Sequence, residues 1–367
     1  MKTLQLPSGR EISNTRTERT WCRGEKAPQQ QAEMYGKGVT EENTMALGMM
    51  VEGKWTTQWN ERDQSGKFNR TATKFRSRIT TDGTSEFKAE AGRYHLYVSL
   101  ACPWAHRTLI MRELKGLNDA IAVSIVDPIL SDRGWMFSEA PGAIPDSVHH
   151  AQYLQEIYVK ADPKYTGRIT VPVLWDKQSQ TIVNNESREI IRMFDVEFAE
   201  LATAKIDLYP LDLAQKIDET MDAIYMPINN GVYRSGFATT QAAYQEAVTE
   251  LFENLDRWET VLSQQRYLCG DRLTEADICM FTTLYRFDSV YHGHFKCNLR
   301  QILDYPNLWN YLKDLYQRPQ FKATCNLDHI KRHYYMSQTQ INPNRIVPKG
   351  PIIDFDEPHD RVDVGVS

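Results

Sequence analysis

The chain has 367 residues, of which 41% are hydrophobic, enough to bury a large core and to form two domains. A net charge of −5 and a pI near 6.0 give no basic surface for a nucleic acid or an anionic membrane. No apolar run approaches the roughly 20 residues a bilayer span needs. The N-terminus lacks the apolar centre of a secretory signal, so the expected location is cytoplasmic.

Residues 1–85 are polar, rich in Lys, Arg, Thr and Gln, and without sustained period; they are expected to form an extended arm with short ordered pieces. "RYHLYVSL" then alternates and predicts a strand. "WAHRTLIMRELKG" has helical spacing and a glycine stop at 116. "IAVSIVD" reads as a second strand, and 128–168 as loop. "ITVPVLWD" and "QTIV" read as two more strands, and "NESREIIRMFDVEF" as a helix. This order is that of a thioredoxin-like α/β domain, assigned to 86–204.

After "LYPLD" the pattern turns helical, and 205–335 is assigned to an all-α domain. Val248, Leu251, Phe252, Leu255, Trp258 and Leu262 fall on one helical face. "LTEADICMFTTLYRF" opens on Thr274-x-x-Asp277, an acidic variant of the capping box. "YPNLWNYLKDLYQRP" is a further helix, closed before Pro319. The tail, 336–367, is expected to be extended.

The six cysteines are Cys22, Cys102, Cys269, Cys279, Cys297 and Cys325. None forms a CxxC pair or sits at zinc-ligand spacing, so they read as reduced thiols with no metal site. Cys102 differs from the others because it stands where a strand becomes a helix, with Pro103 in the first helical position. A sulfur there meets unpaired backbone N–H groups and the positive end of the helix dipole, which predicts an acidic, nucleophilic thiol. A dithiol oxidoreductase carries its resolving cysteine three residues later, and here that residue is Ala105. An external thiol must then resolve a mixed disulfide on Cys102, and glutathione is the abundant one. Val171-Pro172 offers backbone groups to a peptide ligand if the bond is cis, and is an ordinary strand-opening proline if trans. The helix start at Glu186 and Ser187 suits the carboxylate and ammonium of a γ-glutamyl group, or else is simple capping.

The blocks "GRYHLYVSLACPWAHRTLI", "TVPVLWD", "NNESREIIRMF", "NNGVYRSGFATTQ", "FTTLYRFDSVYHGHFKCN" and "HYYMSQTQINPNRIVPKGP" resemble the glutathionyl-hydroquinone reductases, the xi class of glutathione transferases. The resemblance runs from about residue 60 to 352, and its last three blocks are not those of ordinary glutathione transferases. It implies a thioredoxin-like domain followed by a helical glutathione-transferase domain, a homodimer, and glutathione as co-substrate without a metal. The implied reaction is reduction of S-glutathionyl-hydroquinones through a Cys102–glutathione mixed disulfide, releasing oxidised glutathione. By the same resemblance Trp135, Val171, Glu186 and Ser187 bind glutathione, and Tyr233, Tyr291 and Tyr334 bind the quinol, with Tyr335 the alternative to Tyr334. Competing readings are an omega-type or glutaredoxin-like thiol transferase acting on mixed disulfides or dehydroascorbate, and a non-catalytic interaction module. A plain conjugating transferase activates glutathione with a hydroxyl, which Cys102 does not supply.

Overall fold

A computed structural model describes residues 48–57, 63–362 and 364; most of the expected arm, with Cys22, lies outside the described residues. The first described element is a hairpin, β1 (Met49–Val51) and β2 (Lys54–Thr56). From residue 63 to 92 the chain is largely extended, but Phe68, Ile79 and Phe87 are buried and Ser77 N donates to Val183 O at 3.0 Å. These pieces are therefore pinned to the domain beside them by apolar burial and backbone pairing.

The α/β layer follows the predicted order. β3 (Tyr94–Val98) is buried along its whole length, as a central strand covered on both faces must be. α1 (Pro103–Lys115) crosses over and returns the chain to β4 (Ala122–Ile125), parallel to β3. α1 stops at Gly116, whose left-handed φ of 62° lets Leu117 N close onto Arg112 O at 2.9 Å.

The expected loop of 128–168 contains a helix, α2 (Leu154–Ala161), capped where Tyr153 N donates to Glu156 Oε1 at 2.9 Å. With only eight residues it is too short to impose a legible helical period. β5 (Gly167–Arg168) pairs with β1. β6 (Val173–Asp176) and β7 (Thr181–Asn184) complete the sheet in the order β4-β3-β6-β7, and α3 (Ser187–Val196) packs on α1. The predicted third strand begins only after Pro172, which has no N–H for the ladder.

The helical part comprises α4 (Ala214–Ile224), α5 (Gly231–Gly236), α6 (Gln241–Leu262), α7 (Glu275–Arg286), α8 (Pro306–Tyr316), α9 (Pro319–Lys322) and α10 (Leu327–Ser337). The six expected residues of α6 are all buried. At the start of α7, Thr274 N donates to Asp277 Oδ2 at 2.8 Å, the reciprocal half of the expected box. Two π-helical turns, Tyr225–Asn229 and Phe287–Tyr291, interrupt the regular helices, and both border the site described next. The tail packs back on α6 and α8, burying Phe355 and Arg361. No described helix is long and apolar enough to cross a membrane.

Candidate active site

Cys102 is the N-cap of α1, with an extended backbone (φ −77°, ψ 123°) and proline in the first turn. Its thiol donates to the carbonyl of Val171 at 3.5 Å, and the Val171–Pro172 bond is cis. Burial pushes the Cys102 thiol up, against the downward pull of the Ala105 amide, Arg286, the Trp104 amide and Arg70. The acidic thiol expected from the helix terminus alone is thus opposed by desolvation, which the sequence does not display.

Arg286 is the buried cation behind this turn. Its Nε donates to Ala101 O at 2.9 Å and Nη2 to Leu100 O at 3.0 Å, fixing the two carbonyls that precede Cys102. Nη1 lies 3.0 Å from His106 Nδ1, while His106 Nε2 lies 2.8 Å from Thr324 Oγ1. A guanidinium can only donate, so His106 is the neutral tautomer protonated on Nε2, in keeping with burial holding its pKa well below the ordinary value. Helix α1 is thereby tied to α7 and to the turn after α9.

Two adjoining cavities share a wall of Arg70, Trp104, Arg168, Thr170 and Val171. The more polar one, about 780 Å³ with its open mouth, reaches the start of α3. Glu186 caps that helix by accepting from Arg188 N at 3.4 Å, and Thr73 Oγ1 donates to its other oxygen at 3.3 Å. Arg107 donates to Ser187 Oγ at 3.4 Å and to Asn229 Oδ1 at 2.8 Å, which leaves the Ser187 proton to serve another acceptor.

The second cavity, about 850 Å³ with its mouth, is aromatic and holds Cys102 on its wall. Trp135 lines it, stacked on His333 with centroids 4.9 Å apart. Tyr233 and Tyr334 also line it, with hydroxyls 2.5 Å apart. Tyr291 does not reach the cavity: fully buried at the end of the second π-helical turn, it meets the Tyr334 hydroxyl at 3.1 Å from behind. Tyr335 points elsewhere, donating to Ser289 O at 3.3 Å.

All eight predicted site residues therefore gather around the shared wall, seven lining a cavity and Tyr291 backing one. Sequence reasoning missed Trp55, Arg70 and Trp104 as site residues and gave Arg286 only a secondary place. Trp104 was legible, since it lies two residues after Cys102 in sequence. Arg286 lies in one of the resembling blocks and ranked only behind the tyrosines, because the carbonyls it serves are more than 180 residues away. Among the described residues no cluster of three or more metal-type ligands occurs.

Residues 101–197 match the family model for the glutathione S-transferase N-terminal domain, and 241–314 match that for the C-terminal domain. The chain is 52% identical over 323 residues to the glutathionyl-hydroquinone reductase YqjG of Escherichia coli K12, covering 86% of this chain and 98% of that protein. A xi-class glutathione transferase structure from Natrialba magadii superposes with a TM-score of 0.83 at 55% identity, over 87% of this chain and 98% of that one. The glutathione-bound structure of YqjG superposes with a TM-score of 0.79 at 50% identity, over 86% and 99%. With a thioredoxin-like layer, a helical second domain and similarity along nearly the full length of these relatives, the chain belongs to the glutathionyl-hydroquinone reductases, the xi class of the glutathione transferases.

Proposed function

We propose that Cys102 attacks the glutathione sulfur of an S-glutathionyl-hydroquinone, releasing the hydroquinone and leaving a Cys102–glutathione mixed disulfide. A second glutathione attacks that disulfide, forms oxidised glutathione and frees the thiolate. The single observation that carries this reading is that Cys102 shares an aromatic cavity with the paired hydroxyls of Tyr233 and Tyr334. A flat ring with polar ends suits such a cavity, whereas a simple thiol transferase has no use for it.

Glutathione is assigned to the polar cavity. Its γ-glutamyl carboxylate would take the Ser187 proton and the free N–H groups of α3, its ammonium would face Glu186, and its backbone would pair with Val171. Trp135, on the wall of the aromatic cavity, would cover the end of glutathione that reaches Cys102. The assignment is supported by glutathione being bound in the YqjG structure. Division of the chain at 85, 204 and 335 is supported by both matched models falling within its two central parts. The protein is proposed to act as a homodimer in the cytoplasm, a compartment suited to its free thiols; light scattering on the eluted peak tests the dimer.

The deciding experiment compares turnover of a glutathionyl-hydroquinone with that of a small glutathione mixed disulfide. Turnover of both is expected, with Cys102→Ser abolishing each. Mass spectrometry of the oxidised protein should find one glutathione on Cys102 and no internal disulfide to it. Turnover of the disulfide alone would favour the thiol-transferase reading.

A further inference from the structure

Breaking the carbon–sulfur bond of a glutathionyl-hydroquinone poses a problem that the thiol and tyrosines alone leave open. The bonding pair must go to the ring, and an aryl carbanion is far too basic to leave. The step balances if a tyrosine hydroxyl gives a proton to the sulfur-bearing carbon and the tyrosinate so formed takes up the proton of the neighbouring ring hydroxyl, leaving a ketone. Cys102 thiolate then attacks the glutathione sulfur and an S–S bond forms. The C–S bond breaks, and its electron pair restores the aromatic ring by pushing negative charge onto the former ketone oxygen. The ring is reduced by two electrons, the two sulfurs are oxidised to a disulfide, and the phenolate regains a proton from water or tyrosine. The charge to be stabilised therefore sits on oxygen, two bonds from the carbon that gives up its sulfur to Cys102.

Resting on the reductase reading above, we propose that Arg70 is a catalytic residue whose guanidinium stabilises this oxygen anion. Its Cζ lies 4.9 Å from the Trp104 ring centroid and 5.0 Å from that of Tyr233. Its Nε is held by Asn230 Oδ1 at 3.0 Å, so the head is oriented before substrate arrives. Arg70 lines both cavities, including the one that holds Cys102. Arg168 also lines both, but it lies on the strand leading to Val171, the glutathione side, whereas Arg70 lies over the aromatic pair. The residue falls outside both matched domain models.

The test uses full-length Arg70→Met and Arg70→Lys with three substrates: the glutathione conjugates of an unsubstituted and a ring-halogenated hydroquinone, and a small glutathione mixed disulfide. Arg70 is partly exposed on an extended segment, so the fold should tolerate both changes. Arg70→Met is expected to lower kcat/KM for the unsubstituted conjugate about 10- to 100-fold. Halogens acidify the ring hydroxyl, so the loss on the halogenated conjugate should be several-fold smaller. Any effect of the charge on the Cys102 thiolate is common to all three substrates and cancels in their ratio. Arg70→Lys should fall between wild type and Arg70→Met. Equal losses on the two conjugates, or no loss on either, would overturn the assignment while leaving the reductase reading standing. Failure of the wild-type enzyme on both conjugates would overturn the reading itself and the role of Arg70 with it.

Discussion

Tyr334 stands between two other phenols, and its position sets the order in which the three hydroxyls matter. Removing its hydroxyl breaks the 2.5 Å contact with Tyr233 and the 3.1 Å contact with Tyr291 together. Tyr334→Phe is therefore expected to cost about 1–3 kcal/mol in kcat/KM for the quinol conjugate, or roughly 5- to 150-fold. Tyr291 meets the pair from behind and does not line the cavity, so Tyr291→Phe should cost about 0.5–1.5 kcal/mol, up to roughly 12-fold. Both variants should reduce the small mixed disulfide near the wild-type rate. An equal loss on the two substrate types would instead assign the tyrosines to the glutathione site or the fold. His333, beneath Trp135, supplies a pH reading of the same wall. Burial lowers its pKa to about 4, against the upward effect of the Pro128 carbonyl. A depressed histidine contributes stability above its unfolded value of roughly 6.5, and that contribution is lost as pH falls toward about 4. In NMR the His333 ring should titrate near 4. A His333→Phe variant should lose less stability than wild type across that window.

At the scale of elements, the β1–β2 hairpin does more than its length suggests. Trp55 of β2 lines the aromatic cavity and donates through its indole to Asp132 O at 2.9 Å. Gly134 lies beneath that ring, and a Cβ added there would come 2.8 Å from Trp55 Cη2. With φ at +81°, Gly134 also holds a backbone that side chains rarely adopt. Gly134→Ala should therefore lift the hairpin off the cavity, raising KM for the quinol conjugate more than for glutathione and speeding proteolysis near residue 55. The hairpin was hidden in the sequence because three-residue strands show no alternation, and its partner β5 has only two residues. α1, by contrast, announces itself through its proline start, apolar spacing and glycine stop. α6 was equally legible from its apolar face, and α7 from its capping box. Arg70 was illegible because a cation in a polar segment reads as a solvated charge until the rings it covers are folded around it.

Across the whole molecule, the tail closes the helical part from outside. Arg361 is fully buried and donates to Leu262 O at 2.7 Å, Gln265 O at 2.5 Å and Arg266 O at 2.9 Å, the carbonyls released where α6 ends. Lys313 reaches Pro358 O at 2.7 Å across the same seam. Arg361→Ala strands those carbonyls and should cost about 2–4 kcal/mol, read as a lower urea midpoint with kcat/KM little changed. An extended tail was the expectation from composition; its docking depends on carbonyls nearly 100 residues away and could not be seen locally.

The shared wall between the two cavities also sets the order of traffic. Cys102 opens onto the aromatic cavity and is absent from the lining of the polar one. In the proposed cycle the glutathione half of the Cys102 mixed disulfide fills the polar cavity. The second glutathione must then bring its sulfur through the berth the hydroquinone has just left, and it cannot enter until that berth is empty. Steady-state plots should accordingly be parallel lines, as for a substituted-enzyme cycle. Added hydroquinone should compete with glutathione but not with the conjugate for the unmodified enzyme at low product, so accumulating product throttles the enzyme at its regeneration half-cycle.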